Sequence, residues 1–192
     1  MAALKILVIP GSLRTGSLNV RLAAVAAHEL AQAGAEVTRI SLADYTLPIY
    51  DGDLQTRSGV PKNAINLKRM IGAHHGVLIV TPEYNASIPP LVKNTIDWVT
   101  RVQDPHEVGG QVFFGRPFAI AAASQSRLGG TRSLAALRLI LSACRALVIP
   151  NQLALSFAGE AYDDMDKLKH PPDLEALGAM VRQLIDVSQR MM

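Results

Sequence analysis

Short apolar runs alternate with longer amphipathic stretches along the chain. The apolar runs are rich in β-branched residues and predict strands at residues 4–10, 36–42, 76–82, 116–124 and 147–156. Between these runs apolar residues recur every three or four positions, which predicts helices at residues 18–34, 61–74, 89–102 and 131–146 and a last helix from about Asp173. This alternation predicts an α/β fold with helices on both faces of a parallel sheet.

The number of predicted strands and the short connections between them favour one particular α/β architecture. Five strands of this kind suit a flavodoxin-like three-layer sandwich with strand order 2-1-3-4-5, in which ligands bind beyond the carboxyl ends of strands 1, 3 and 4. Residues 1–192 contain no linker-like or repetitive tract, so we expect a single domain. The irregular stretches are expected to form site rims or subunit contacts, and they lie at residues 45–61, 103–117 and 158–172.

Composition is that of a soluble globular protein, with 49% hydrophobic and 18% charged residues. The formal net charge of +3 is mild and the basic residues are scattered, so we expect no nucleic-acid partner. The single cysteine, Cys144, lies in a helical pattern, which favours a structural thiol over a disulfide or a nucleophile. No apolar run is long enough to cross a bilayer and no signal peptide is recognisable, so we expect a cytoplasmic protein without a membrane partner.

The segment GSLRTGSLN, residues 11–19, ends the first predicted strand and opens the first predicted helix. Backbone N–H groups converge there with the positive end of the helix dipole, which favours an anion and most often a phosphate. Gly11 and Gly16 have the spacing that begins a P-loop, but Ser17 stands in place of the lysine and Leu18 in place of the magnesium-binding hydroxyl. The dinucleotide pattern G-x-G-x-x-G is absent too, so triphosphates and dinucleotides are disfavoured at this turn.

Hydroxyl, amide and guanidinium donors remain in this turn, and such donors suit a terminal monophosphate bound without a metal. The alternative is that Ser17 only caps the helix and that Arg14 is solvated. The density of polar side chains at the end of a strand favours the phosphate site. Its predicted residues are Ser12, Leu13, Arg14, Thr15, Ser17 and Asn19.

Two further loops follow the third and fourth predicted strands. The segment TPEYNASIPP, residues 81–90, is stiffened by prolines and offers polar and aromatic groups, although Tyr84 could instead pack on a neighbouring loop and Asn85 could cap a turn. In residues 123–133, Ser124 could reach a ligand. The alternative is that this segment is a simple loop-to-helix junction with Thr131 as the helix cap. Together with the phosphate turn, these loops favour a planar aromatic mononucleotide, with flavin mononucleotide (FMN) as the candidate.

The chain resembles the NADPH-dependent FMN reductase family, flavodoxin-like enzymes that include bacterial quinone, chromate and azo-dye reductases. The resemblance is carried by G-S-L-R-x-x-S-x-N at residues 11–19, T-P-E-Y-N at 81–85 and K-N-x-I-D-W at 93–98. It implies that Ser12, Arg14, Ser17 and Asn19 hold the FMN phosphate and that Ser124 contributes to the site. It also implies that the isoalloxazine is bordered by Pro82, Glu83, Tyr84 and Asn85.

The resemblance further implies a homodimer or homotetramer with the flavin near a subunit boundary. Lys93, Asn94, Asp97 and Trp98 fall on a predicted helix, where packing or a subunit contact is expected rather than chemistry. The stretch 103–117 is longer than a compact connection, and Pro90 stands where glycine is frequent in the family.

With FMN bound, the flavin carries the chemistry, and neither a catalytic side chain nor a metal is expected. We expect NADPH or NADH to pass a hydride to the flavin, which then reduces a small acceptor such as a quinone, azo compound, chromate or free flavin by ping-pong kinetics. One alternative is a flavodoxin-type electron carrier, although flavodoxins are usually strongly acidic and this chain is mildly basic. The second alternative is a phosphate-binding module without redox activity.

Overall fold

The computed structural model describes residues 3–192, and their secondary structure follows the alternation of the sequence. The strands are Lys5–Pro10 (β1), Glu36–Arg39 (β2), Gly76–Val80 (β3), Pro117–Ala123 (β4), Leu147–Val148 (β5) and Leu153–Leu155 (β6). The helices are Leu18–Gln32 (α1), Gly52–Ser58 (α2), Lys62–Gly72 (α3), Pro90–Val99 (α4), Thr131–Ala143 (α5) and Pro171–Arg190 (α6). Short 3-10 helices lie at Leu42–Tyr45 and Gln111–Phe113.

The strands form one parallel sheet in the order β2-β1-β3-β4-β5, with β6 also paired to β4. This order confirms the predicted 2-1-3-4-5 arrangement and the flavodoxin-like fold. β3 and β4 are buried along their whole length, as expected for central parallel strands covered on both faces. Apolar side chains of α1 and α6 cover one face, and those of α3, α4 and α5 cover the other.

The predicted fifth strand, residues 147–156, is two short strands in the structure. Pro150 lies between them and has no N–H to donate to a ladder, so β5 ends before it and pairing with β4 resumes at Leu153. The guanidinium of Arg138 on α5 donates to the carbonyls of Val148 and Ile149, at 3.3 and 2.9 Å. Carbonyls at the break are thereby hydrogen-bonded.

The K-N-x-I-D-W motif packs α4 against the segment that precedes α2. Asn94 accepts from the Tyr50 N–H at 2.8 Å and donates to the Pro48 carbonyl at 2.9 Å, and the Trp98 Nε1–H donates to the same carbonyl at 2.7 Å. Trp98 is fully buried, with its ring edge-on to Tyr50. Trp98 therefore has a packing role and offers no surface to a partner subunit. Pro90 is the first residue of α4, where proline is well tolerated.

The long connection at residues 103–117 is anchored to α3 by ion pairs with a buried lysine. Lys68 on α3 forms ion pairs with Asp104 and Glu107, and burial of Phe113 against Phe118 fixes the other end of the connection. Desolvation of the buried ammonium group lowers the pKa of Lys68. The hydrogen bonds and negative charges of the two carboxylates outweigh this effect, so the pKa of Lys68 is raised above its ordinary value. The segment is a packed part of the fold.

Cys144 ends α5 and is half-buried. Burial raises the pKa of its thiol, which disfavours the reactive thiolate and matches the predicted structural role. Between residues 3 and 192, none of the helices combines the length and the apolar character needed to cross a bilayer.

Candidate functional site

Three loops meet at the carboxyl edge of the sheet, beyond β1, β3 and β4. The register aligns Pro10 with Val80 and Val80 with Ala121, so β1 and β3 end at the same level and β4 continues two residues further, to Ala123. The Gly11 N–H donates to the Val80 carbonyl at 2.7 Å, which joins the first loop to β3. A Cβ at Gly11 would lie 2.5 Å from Val92 Cγ2, so any other residue would require Val92 to shift where α4 approaches this strand end.

The first loop presents unpaired donors at the start of α1. Ser17 is the N-cap residue by backbone conformation, but its hydroxyl makes no cap hydrogen bond. The first-turn N–H groups of Leu18, Asn19 and Val20 donate to no acceptor among residues 3–192. A helix start with free N–H groups and a free hydroxyl is suited to an anion.

Arg14 is exposed and lies over its own loop. Its guanidinium donates to the carbonyls of Thr15 and Gly16 at 3.4 and 3.3 Å, and its N–H donates to Ser12 Oγ at 3.3 Å. These bonds are long, and no carboxylate of the described chain pairs with this guanidinium. The positive charge of Arg14 therefore remains available to a ligand at the loop. Leu13 and Thr15 are exposed beside it.

Asn19 has a different role from its neighbours in the turn. Its side chain is buried, donates to the Ala123 carbonyl at 2.9 Å and accepts from the Ala123 N–H at 2.8 Å. This pair of bonds fastens the start of α1 to the end of β4. The side-chain amide is thus engaged within the protein, and Asn19 can offer an anion its backbone N–H.

The second loop is a tight turn closed by two backbone hydrogen bonds. Tyr84 N–H donates to the Ser87 carbonyl at 2.9 Å, and Ser87 N–H donates to the Tyr84 carbonyl at 3.0 Å. Asn85 and Ala86 both have positive φ, 49° and 64°, as the primed turns of hairpins require. Asn85 is suited to this conformation, and Tyr84 is 51% exposed instead of packed on a neighbouring loop.

Glu83 places a buried carboxylate in the second loop, directly after Pro82. Its Oε1 accepts from Arg132 Nε on α5 at 2.7 Å, and its side chain is only 10% exposed. The other oxygen, Oε2, is buried and has no donor among residues 3–192. A buried acceptor without a donor costs free energy, so the second oxygen of this carboxylate is left unsatisfied within the described chain. Arg132 was not predicted, because it lies 49 residues from Glu83 in a different loop-to-helix junction.

The third loop is held by β6 and by the glycines that precede α5. Ser124 N–H donates to the Leu155 carbonyl at 3.0 Å, and its hydroxyl bonds the Ser126 hydroxyl at 3.0 Å. A Cβ at Gly129 would lie 2.6 Å from the Ala154 carbonyl oxygen, so packing within the fold demands this glycine. The N-cap of α5 is Gly130, and Thr131 is the first helical residue, so Thr131 does not cap this helix.

Exposed apolar side chains lie in these loops and directly after β6. Leu13, Tyr84 and Leu128 come from the three loops, and Phe157 follows β6; each is about half exposed, between 49% and 57%. Phe157 was not predicted, because a lone aromatic residue after a broken strand carries no periodic signal. We call these four residues the apolar rim.

The three-layer sandwich with its loops at one edge defines a flavodoxin-like protein. Residues 4–160 match the family model described as NADPH-dependent FMN reductase, and the chain belongs to this family. It is 39% identical over 147 residues to the quinone reductase of Escherichia coli strain K12, covering 76% of this chain and 73% of that protein. It is 33% identical over 190 residues to an NAD(P)H-dependent FMN reductase of Pseudomonas aeruginosa, covering 94% and 97%.

A solved structure supports the same assignment. The flavoenzyme NAD(P)H:(acceptor) oxidoreductase FerB of Paracoccus denitrificans matches with a TM-score of 0.80 and 27% identity, over 98% of this chain and 99% of FerB. The predicted family, fold and oxidoreductase class are therefore confirmed.

Proposed function

We propose that this protein is an FMN-dependent NAD(P)H oxidoreductase that reduces small acceptors such as quinones, with residues 1–192 forming one FMN-binding domain. The proposal is carried by the unpaired N–H donors at the start of α1, next to loops that offer a buried acceptor at Glu83. Support also comes from the names of relatives, a quinone reductase and an NAD(P)H-dependent FMN reductase.

The phosphate of FMN would be bound by the first loop. The N–H groups of Leu18, Asn19 and Val20 supply neutral donors aligned with the helix dipole, and the Ser17 hydroxyl supplies another. Arg14 adds a cation without a competing carboxylate. This donor set fits a phosphate dianion without any need for a metal ion.

The isoalloxazine ring would be bordered by Pro82, Glu83, Tyr84 and Asn85, with Ser124 on the side of the third loop. The oxidised ring carries one N–H group, and Glu83 Oε2 is a buried acceptor that lacks a donor. Arg132 holds the carboxylate in place through Oε1. Once bound, FMN supplies two-electron chemistry between a nicotinamide and an acceptor, while the protein supplies position and electrostatics.

The apolar rim supports a planar, weakly polar acceptor. Its four side chains expose apolar surface around the loops, where a quinone ring can be partly desolvated. The same surface supports assembly, and Leu139 on the outer side of α5 is a further apolar residue that is 72% exposed. The proposal therefore includes a homodimer or homotetramer. It also includes a cytoplasmic location, which the single free cysteine supports.

The test is the absorbance spectrum of the purified protein before and after addition of NADPH or NADH under anaerobic conditions. We expect bleaching of the flavin absorbance by nicotinamide alone and its return on addition of a small quinone. Double-reciprocal plots at several quinone concentrations should be parallel, because both substrates use the same site in turn. Intersecting lines would contradict a shared site. Failure of both nucleotides to bleach the flavin would favour a flavodoxin-type carrier, and a colourless protein would favour a phosphate-binding module.

A further inference from the structure

A cavity adjoins the phosphate turn on the side of β2. Its volume is about 260 Å³, and it lies where β1 and β2 end and the 3-10 helix Leu42–Tyr45 begins. The lining includes Ser12, Val20, Arg39, Ile40, Ser41 and Asp44. Ser12 also belongs to the predicted phosphate turn, so the cavity lies next to the proposed flavin site.

Arg39 gives this cavity an uncommitted positive charge. It is the last residue of β2, aligned with Val8 of β1, and its side chain is exposed. Its guanidinium has no hydrogen-bond or ion-pair partner among residues 3–192, and Asp44 in the same cavity lies outside ion-pair distance. An arginine at the ligand-binding edge of a parallel sheet, free of any carboxylate, is ready for bidentate contact with a phosphate.

The remaining lining suits the rest of a nucleoside. Val20 and Ile40 offer apolar surface on which a base can pack, and the Asp44 carboxylate can accept from a ribose hydroxyl or an adenine amino group. Ser41 Oγ accepts from the Ala43 N–H at 3.2 Å, which leaves the hydroxyl proton of Ser41 free to be donated to a ligand.

We infer that this cavity binds the adenosine end of the nicotinamide co-substrate and that Arg39 contacts the 2′-phosphate that distinguishes NADPH from NADH. The inference rests on the proposed function, which assigns the neighbouring phosphate turn to FMN and so leaves this second cationic site for a different ligand. The two nucleotides differ only by that phosphate, so one unpaired guanidinium is enough to separate them. Arg39 is then the specificity-determining residue for the co-substrate.

The test is calorimetric binding of adenosine 2′,5′-bisphosphate and adenosine 5′-monophosphate to the FMN-loaded protein, with Arg39→Ala as the variant. Loss of charge-assisted hydrogen bonds is expected to weaken bisphosphate binding by about tenfold or more and to leave the monophosphate within about twofold. The KM for NADPH should rise by a similar factor while that for NADH stays unchanged. Arg57→Ala is the matched control, because Arg57 on α2 is also exposed and does not line the cavity.

Equal affinity of the parent protein for the two adenosine nucleotides would overturn the inference. Loss of FMN affinity in Arg39→Ala would overturn it as well, because the cavity would then belong to the flavin site. If Arg57→Ala weakened bisphosphate binding as much as Arg39→Ala, the effect would come from the overall positive charge of the protein, and the inference of a specific contact by Arg39 would be overturned. The proposed function is refuted if neither NADPH nor NADH reduces the flavin. Binding of the adenosine nucleotides is measured without turnover, so it tests the assignment of the cavity independently of that result.

Discussion

Asn19 and Ser17 stand two positions apart in the same polar turn, yet the structure gives them separable tasks. Asn19 makes two buried hydrogen bonds to Ala123, whereas the Ser17 hydroxyl bonds nothing at its helix. We therefore predict that Asn19→Ala destabilises the fold and that Arg14→Ala with Ser17→Ala weakens FMN binding without destabilising the fold.

The magnitude for Asn19→Ala follows from the groups left behind. Ala123 is only 4% exposed, so its N–H and C=O would lose their partners in a buried place. Each such group costs about 1–3 kcal/mol, and some relaxation or water entry is expected, so the free energy of unfolding should fall by about 2–4 kcal/mol. For a chain of this length, that loss lowers the melting temperature by about 5–15 °C.

The double variant should have the opposite profile. The bonds of Arg14 to its own loop are long and exposed, so their loss should change the free energy of unfolding by less than about 0.5 kcal/mol. Loss of charge-assisted hydrogen bonds to a phosphate should weaken FMN binding by at least about tenfold.

The assay is urea unfolding of each variant without added flavin and again with saturating FMN, because a bound ligand adds its own stability. FMN affinity is measured separately by absorbance after dialysis. Asn19→Asp is an isosteric control: it keeps an acceptor for the Ala123 N–H but sets a carboxylate against the Ala123 carbonyl, so it should not restore stability. An unchanged urea midpoint for Asn19→Ala, or full retention of FMN by the double variant, would refute the reasoning.

The positions of the strands could be predicted because a parallel strand that is buried on both faces appears in the sequence as a continuous apolar run. Their order could be predicted because five strands with short connections favour the flavodoxin-like arrangement. β3 and β4 are buried throughout, and their runs stand out against the helices around them. α2 could not be predicted, because none of its residues is buried and it therefore has no apolar periodicity. The break at Pro150 was missed because the apolar residues on either side of it continue the same pattern.

The location of the candidate site could be predicted, but the partners of its side chains could not. A polar residue in a turn can face a ligand or the protein, and the choice depends on groups that are distant in sequence. Asn19 meets Ala123 across 104 positions, and Glu83 meets Arg132 across 49. Sequence spacing carries no information about such contacts, because they form only where the loops and helix starts come together in the folded chain.

Two further predictions concern assembly and pH. Sedimentation should give a homodimer or homotetramer at micromolar concentration, and a monomer would contradict the proposed assembly. Tyr162 is buried beside Arg21, its hydroxyl has no partner among residues 3–192, and desolvation raises the pKa of its phenol from 10.0 to about 12. The unfolded chain therefore ionises this phenol first, so the stability that Tyr162 contributes is full below pH 10 and is lost as the pH rises toward 12. Relative to Tyr162→Phe, which cannot ionise, the free energy of unfolding of the parent should fall by about 1.4 kcal/mol between pH 8 and pH 11. Urea unfolding at a series of pH values measures this difference, and a difference that stays constant from pH 8 to pH 11 would show that the phenol ionises equally easily in both states.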